Sequence, residues 1–360
     1  MRTFFGFCLV VLAGAVAFAA CGGGDGGGGD LNSLFNGEYR IHTIENEVSG
    51  DPRQVRFFDG TADGAGNASA TLGTTTVNLS YNIATDRTMS LSDPLGVFET
   101  SYGIINADGS FLALTDAVRG GFSGSDVELS VAVAKSSMAD TTGVPGTFIL
   151  SRAGYSPAGS FYVNRVLVTI NSDASTGSWE ILAHTNPARI GSTGSLDIAF
   201  STDGTFTVDP GTGLNYGIIS PDRNVFAVAD TTSADADGEK SIAVGVRIST
   251  GGTPDGIGDY VINQIGVNDP NTPAAEIYTS RVNLTTYTGT YDFEVTADSS
   301  GPAGASGSGI AYSVSADGTV DFPANTGMAG IVSPTGEVMV LVDSVPTPAD
   351  DIHLGIAVKK

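Results

Sequence analysis

Residues 216–230 read YGIISPDRNVFAVAD. The same pattern occurs as YGIINADGSFLALTD at residues 102–116 and as AGIVSPTGEVMVLVD at residues 329–343. In each copy a glycine, two β-branched residues, a four-residue turn and an apolar run end on aspartate. The glycine-to-aspartate spacing is 13 residues each time, from Gly103 to Asp116, Gly217 to Asp230 and Gly330 to Asp343. Three matched copies announce a repetitive architecture.

The repeat extends on both sides of this stretch. Each unit starts on Gly-x-aromatic, at Gly37-Glu38-Tyr39, Gly146-Thr147-Phe148 and Gly258-Asp259-Tyr260, starts that are 109 and 112 residues apart. A second glycine follows at Gly66, Gly177 and Gly289. Next an aromatic precedes an Asp-x-Thr turn, as Tyr81 with Asp86 and Thr88, Phe200 with Asp203 and Thr205, and Tyr312 with Asp317 and Thr319. Each unit closes on an apolar strand ending in a base: LSVAVAK to Lys135, IAVGVR to Arg247 and LGIAVK to Lys359. The polar segments 136–145 and 249–257 read as short linkers between units.

Within a unit about eight strand-like runs alternate or are β-branched, and Asp-Gly, Ser-Pro-Asp or Asn-rich turns separate them. Ser-Pro-Asp-Arg and Ser-Pro-Thr-Gly suit type I turns, with proline presetting φ at the second position. Neighbouring strands joined by short turns run antiparallel. The fold class expected is therefore all-β, with three tandem antiparallel up-and-down β-barrel-like units, because closure removes the strand edges. The alternative is a single six-bladed β-propeller, in which twenty-four strands make two four-stranded blades per unit. The two halves of a unit do not resemble each other, which speaks for barrels. The two architectures differ in where the core lies: tandem barrels each enclose their own, whereas a propeller shares one. A transmembrane barrel is not expected, since the chain ends in Lys359-Lys360. The Gly-x-aromatic start resembles the Gly-x-Trp start of the lipocalin-like, or calycin, barrels. That resemblance implies a closing strand paired with the first, and an interior that is either packed or holds a small apolar ligand.

Composition supports export and strands. The chain has 360 residues, 49 glycines and a formal net charge of −23. Of its 39 acidic residues 29 are Asp and 10 Glu, against 4 Lys. Aspartate bonds nearby backbone N–H groups in turns, whereas Glu and Lys populate helix surfaces. So negative a field excludes nucleic acid as a partner and repels anionic lipid. The two cysteines are Cys8 and Cys21. Cys8 lies in a segment expected to be removed, so no internal disulfide forms and packing alone holds the units.

Met1-Arg2-Thr3, the apolar run Phe4–Ala20 and the glycine-rich stretch after Cys21 are the parts of an export signal and tether. Phe18-Ala19-Ala20-Cys21 resembles the lipobox of bacterial lipoproteins, with Phe18 where that family usually has Leu. The resemblance implies cleavage before Cys21, acylation of Cys21, and a membrane attachment through that lipid; Gly22 after it points to the outer membrane. Ala17-Phe18-Ala19 also fits ordinary signal cleavage, which would leave a secreted, unanchored protein. The boundaries expected are 1–20 for the signal peptide, 21–34 for the lipidated cysteine and tether, and 35–137, 138–250 and 251–360 for the three β units.

The sequence offers little chemistry. No G-x-S-x-G is present; GFSGS at Gly121 and GASGSG at Gly304 miss it. His42, His184 and His353 fall at non-equivalent places in three units, which fits neither a Ser-His-Asp site nor zinc. For calcium, the acidic loops are Asp59–Gly64, Asp235–Glu239 and Asp255–Asp259. Read as an EF-hand, the second loop puts Val244 where a bidentate Glu is required. Tight Asp-Gly turns account for all three. Asp116, Asp230 and Asp343 either line three equivalent openings or cap hairpins, and capping is the expected role. Trp179 stands where Tyr291 does and reads as core rather than as a sugar platform.

The resulting expectation is a non-catalytic envelope or cell-surface lipoprotein, lipidated at Cys21, with a binding role toward a small ligand or a surface protein or glycan. No catalytic residue, metal or cofactor is expected. The alternatives are a structural spacer of the envelope and, less favoured, an acidic-residue hydrolase.

Overall fold

The computed structural model describes residues 31–46, 53–92, 101–116, 127–209, 214–231, 238–267, 277–299, 304–323, 327–344 and 351–360. The signal, the tether glycines and Cys21, the acidic residues Asp235 and Asp237, and the GFSGS stretch lie outside the described residues.

The first barrel holds β1 (Asn36–Asn46), β2 (Arg53–Asp63), β3 (Asn67–Leu72), β4 (Thr75–Ile83), β5 (Thr88–Ser92), β6 (Ser101–Ile105), β7 (Phe111–Thr115) and β8 (Val127–Ala134), paired in that order. It closes where β8 returns to β1, with Tyr39 opposite Ala134. The second barrel repeats this with β9 (Gly146–Tyr155), β10 (Phe161–Ile170), β11 (Thr176–His184), β12 (Thr193–Phe200), β13 (Thr205–Asp209), β14 (Asn215–Ile219), β15 (Val225–Asp230) and β16 (Lys240–Arg247), closing with Phe148 opposite Arg247. The third comprises β17 (Gly258–Val267), β18 (Ile277–Thr286), β19 (Thr290–Asp298), β20 (Ser306–Ala311), β21 (Ser313–Val314), β22 (Thr319–Asp321), β23 (Met328–Val332), β24 (Val338–Asp343) and β25 (Ile352–Lys359). Here the fourth strand is interrupted at Tyr312, so β20 pairs with β19 and β21 with β22, and the sheet is a near-barrel. All pairings are antiparallel. The architecture is three barrels, and the propeller is not formed.

The repeated turns have one construction. In the stretch that opened this section, Asn106, Ser220 and Ser333 each accept an amide hydrogen bond three residues on, from Gly109, Arg223 and Gly336 at 3.1, 2.8 and 2.8 Å. Those third residues take positive φ, 75°, 61° and 74°, so Arg223 occupies a left-handed position that its counterparts fill with glycine. The Asp-x-Thr turns are equally uniform. Asp86, Asp203 and Asp317 each accept from the backbone N–H and the hydroxyl of the threonine two residues on.

Three of the four apolar clusters fill the barrels, built around Tyr39, Phe148 and Tyr260 respectively. The fourth lies outside all three barrels and draws residues from each of them. Ile44, Leu129 and Val131 of the first meet Ile149, Ile242 and Val244 of the second and Ile265, Leu354 and Ile356 of the third. The period of two along a strand explains it. On β16, Ser241, Ala243 and Gly245 face the barrel while Ile242, Val244 and Val246 face the shared core. On β25 the inward residues are His353, Gly355 and Ala357, and the outward ones Leu354, Ile356 and Val358. The closing strands thus turn their larger side chains away from their own barrels.

The barrels pack cyclically. The first two strands of each lie on the last two of a neighbour: β1 and β2 on β15 and β16, β9 and β10 on β24 and β25, β17 and β18 on β7 and β8. Phe57 stacks on Tyr216 at 4.6 Å, the Arg165 Nη2 donates to Gly330 O at 3.3 Å, and Asn263 Nδ2 donates to Ala113 O at 3.2 Å. Each Asp-x-Thr turn meets the end of another barrel's last strand. Ser136 N donates to Asp203 O at 3.1 Å, Ser249 N to Asp317 O at 2.9 Å, and Lys360 Nζ stands 3.9 Å from Asp86 Oδ2. Head-to-tail contacts of this kind close into a ring when the rotation fits. The expectation that barrels and a shared core exclude one another is corrected here: the chain has both.

Three polar residues occupy one register position of the first strands, His42, Ser151 and Asn263, at most 1 % exposed. His42 has no hydrogen-bond partner on either ring nitrogen. Burial, reinforced by Arg40 and opposed by Asp59, lowers its pKa from 6.5 to about 3. The unfolded chain takes up this proton below pH 6.5 and the folded chain only near 3. Stability is therefore lost as pH falls through that window, by up to about 1.4 kcal/mol per pH unit. His184 and His353, both lowered to about 4, act in the same direction. Urea midpoints between pH 7 and pH 5 are expected to fall for the parent chain and to fall less steeply for His42→Leu; an equal slope in both contradicts the assignment.

Candidate ligand-binding barrel

The second barrel encloses a cavity of about 230 Å³. Its inward residues follow from strand parity. On β9 they are Phe148, Leu150 and Arg152, and on β10 Asn164, Val166, Val168 and Ile170. One end is closed by rings: Phe226 stands 5.0 Å from Phe148 and 5.9 Å from Phe206, and Phe206 stands 5.0 Å from Phe200. Two glycines make room for this lining. A Cβ on Gly217 would lie 2.3 Å from the Phe206 ring on the paired strand, and one on Gly194 would lie 2.6 Å from the Trp179 indole. The repeated glycine of the opening stretch is thus a seat for a neighbour's side chain.

The other end is polar. Arg152 donates from Nε to Ser241 Oγ at 2.5 Å, faces Glu239 Oε2 at 3.3 Å and Asp230 Oδ2 at 3.5 Å, and lies 5.2 Å from the Tyr162 ring centre. Arg189, from the short turn after β11, pairs with the other oxygen of Glu239. Tyr162 donates to Glu239 Oε2 at 3.1 Å, and burial raises its pKa well beyond the ordinary phenol value. The Tyr162 ring stacks on His184 at 5.3 Å. His184 Nδ1 accepts from Asn186 N at 2.8 Å, and burial beside Arg189 and Arg152 keeps the imidazole neutral at pH 7. A bulge in β11, opposite Arg165 and Val166, turns His184 inward. Two bases and two acids are thus held together beside an apolar chamber.

Asn164 differs from its neighbours. It is 0 % exposed, lines the cavity, and neither amide atom has a partner. Asn215 Oδ1 and Trp179 Nε1, also on the cavity wall, are likewise unpartnered.

The register positions of Arg152 and Asn164 hold Thr43 and Arg56 in the first barrel and Gln264 and Ser280 in the third. The first barrel is plugged by Phe35, 4.5 Å from Tyr39 and 5.1 Å from Tyr81. Phe35 follows the 3-10 turn Leu31–Leu34, whose leucines pack on the same cluster. The third is filled by Tyr260, Tyr291, Tyr312 and Phe322, with Tyr291 5.6 Å from Phe322. Tyr39 and Tyr260 donate to Gly109 O and Gly336 O at 2.9 and 2.8 Å. Phe148 stands in their place and lacks that hydroxyl.

The recurring aspartates share a structural place but not a role. Asp116 caps its hairpin, accepting from Glu128 N at 2.7 Å, and also accepts from Thr279 of the third barrel. Asp230 lines the cavity and faces Arg152, and Asp343 is buried in the third barrel. Trp179 packs against the core as expected and is part of the cavity wall. Among the acidic stretches, Asp59-Gly60 is not a turn but lies inside β2, where Asp59 pairs with Arg40 and Lys135 at 2.8 and 2.9 Å. Asp63 does form a turn, accepting from Ala65 N and Asn67 N. Asp255 accepts from Ile257 N and Asp259 from Thr285 Oγ1. The three histidines remain far apart in role: His42 in the shared core, His184 at the cavity's polar end, His353 inside the third barrel.

Arg152 and Asn164 carry no motif in the sequence, and Glu239 stands out there only as the end of the acidic loop Asp235–Glu239, whereas the structure pairs it with Arg152 and Arg189. The signal was present in parity: a charged or amide residue continues the inward series Phe148, Leu150 on one strand and Val166, Val168, Ile170 on the next.

No family model matches the chain, and no curated protein matches it. Solved structures similar to it include transferrin binding protein B from Neisseria meningitidis, at 9 % identity and TM-score 0.28, covering 90 % of this chain and 76 % of that one. The intact Ap-TbpB, with N and C lobes, matches at 9 % identity and TM-score 0.27, over 89 % and 76 % of the two chains. A DUF3598 protein of unknown function from Nostoc punctiforme matches at 10 % identity and TM-score 0.21, over 60 % and 96 %. With scores this low, the fold described above rests on its own strand order and register.

Replacing Arg152 by Met leaves Glu239 and Asp230 buried beside one base fewer. The expected loss is about 3 kcal/mol in denaturant unfolding, and the triple change Arg152→Met, Asp230→Asn, Glu239→Gln is expected to recover most of it. A triple variant no more stable than the single one contradicts the paired-charge account.

Proposed function

We propose that the protein is a non-catalytic lipoprotein of the cell envelope, anchored through Cys21, that binds a small ligand inside its second barrel. The observation carrying this reading is the 230 Å³ chamber, apolar along its walls and charged at one end. Concave, mostly apolar sites with a few converging polar groups are the usual form of small-molecule sites. The tyrosine-filled first and third barrels then act as the frame that holds the second. The ring also supports binding over a spacer role, since cyclic packing folds the three units together instead of extending them.

In the proposed arrangement the glycines after Cys21 carry the ring away from the membrane, with units at 35–137, 138–250 and 251–360. Cys21→Ser is expected to move the protein from the membrane fraction to the soluble fraction and to abolish labelling by a palmitate analogue. Unchanged fractionation and labelling contradict the anchor.

The chamber is tested with its own reporter, because Trp179 is the single tryptophan of the chain. A cavity of 150 Å³ holds benzene, so about 230 Å³ suits on the order of ten heavy atoms. 1-Bromooctane fits that size and carries a quenching heavy atom. Saturable quenching of Trp179, lost when Val168→Phe fills the chamber, is the expected result. Quenching that only rises linearly with concentration contradicts the binding reading.

A further inference from the structure

We propose that the second barrel selects an uncharged amphipathic ligand, a medium-length alkyl chain bearing a primary amide or a similar group with both donor and acceptor atoms, its head held by Asn164. This inference rests on the binding role proposed above and specifies the ligand's chemistry.

The argument starts from what is left unpaired. Asn164 is fully buried, points into the chamber and has no partner for its oxygen or its nitrogen. An unsatisfied buried amide is costly, and native structures rarely keep one without a reason. A primary amide satisfies it best, donating to Oδ1 and accepting from Nδ2 in one planar pair. Asn215 Oδ1 and Trp179 Nε1 add one further acceptor and one further donor to the wall.

Charge decides against an ionised head. The bases near Asn164, Arg152 and Arg189, are already engaged by Glu239 and Asp230. A carboxylate would bring a negative charge beside those two acids and leave Asn164 Oδ1 without a donor. An ammonium would bring a positive charge beside the two arginines and leave Nδ2 without an acceptor. An uncharged head perturbs none of these pairs.

Geometry sets the length. Beyond Asn164 the inward residues of β10 are Val166, Val168 and Ile170, and Trp179 is paired with Val168. From Asn164 to Val168, the level of Trp179, is four residues of strand or about 13 Å, the reach of an extended chain of roughly eight to ten heavy atoms. The walls there, Ile181, Leu196 and Ile198 among them, offer no charge to a tail.

The test is competition against 1-bromooctane quenching of Trp179 in the full-length protein, using octanamide and octanoate at pH 7.5. Octanamide is expected to displace the quencher at a concentration at least tenfold below octanoate. Asn164→Leu is expected to erase that preference while bromooctane still quenches. Octanoate equal to or better than octanamide in the parent chain overturns the proposal, with no variant needed. A preference that survives in folded Asn164→Leu overturns it as well. Bromooctane failing to quench the parent chain removes the binding role itself, an outcome distinct from failure of the amide preference.

Discussion

The structure depends on the apolar contact among three barrel exteriors. A barrel can satisfy its backbone by closing, but closure does nothing for a strand whose outward face is apolar. The eighth strand of each unit is such a strand, with aliphatic side chains on the face turned away from its own barrel. Those faces are covered only because the first two strands of a neighbour lie on them. Fully burying one Val, Leu or Ile contributes about 1.5–3 kcal/mol, so a cluster drawn from all three barrels binds the units far more tightly than the surface ion pairs around them. The cyclic order lets one contact, repeated three times, leave no copy of that face uncovered.

The same repetition frees the interiors to diverge. The turns and closing strands that build the ring are nearly uniform from unit to unit, and they include the Asp-x-Thr turns whose carboxylates close on their own threonines. The chambers are not uniform. Tyr39 and Tyr260 reach across to backbone carbonyls, while Phe148 does not. Arg152 and Asn164 sit where the other barrels have Thr43 and Arg56, or Gln264 and Ser280. Divergence at inward positions is what a scaffold tolerates when its stability comes from outside the chamber. In the second barrel the unpaired polar atoms of Asn164, Asn215 and Trp179 border a chamber with room for a partner, whereas those of His42 lie in the shared core and that of Ser280 in the filled third barrel.

Much of the fold was legible in the sequence because hairpins are local. The turn residues, the period-two alternation and the closing strand placed eight strands per unit and the pairing of last with first. The shared core was less legible, although its mark is there. LSVAVAK, IAVGVR and LGIAVK are continuous apolar runs, and continuous runs belong to strands buried on both faces. Their large residues fall on one parity and their small ones on the other, which puts the larger face outside the barrel. Asp59-Gly60 misled for a related reason: an aspartate before glycine reads as a turn, but here Arg40 and Lys135 neutralise it within a strand. The cavity required tertiary information, since Arg152 and Tyr162 become neighbours of Glu239 only when the sheet closes.

The measurement that tests the account most directly is sedimentation and thermal unfolding of residues 138–250 expressed alone, beside the full chain. Cut free, this barrel exposes Ile149, Ile242, Val244 and Val246, which the ring covers. The account predicts self-association or a broad transition well below that of the full chain, which itself unfolds in one step. A monomeric fragment that melts sharply at the full chain's temperature would contradict it, because the barrels would then stand independently and the shared core would contribute nothing to their stability.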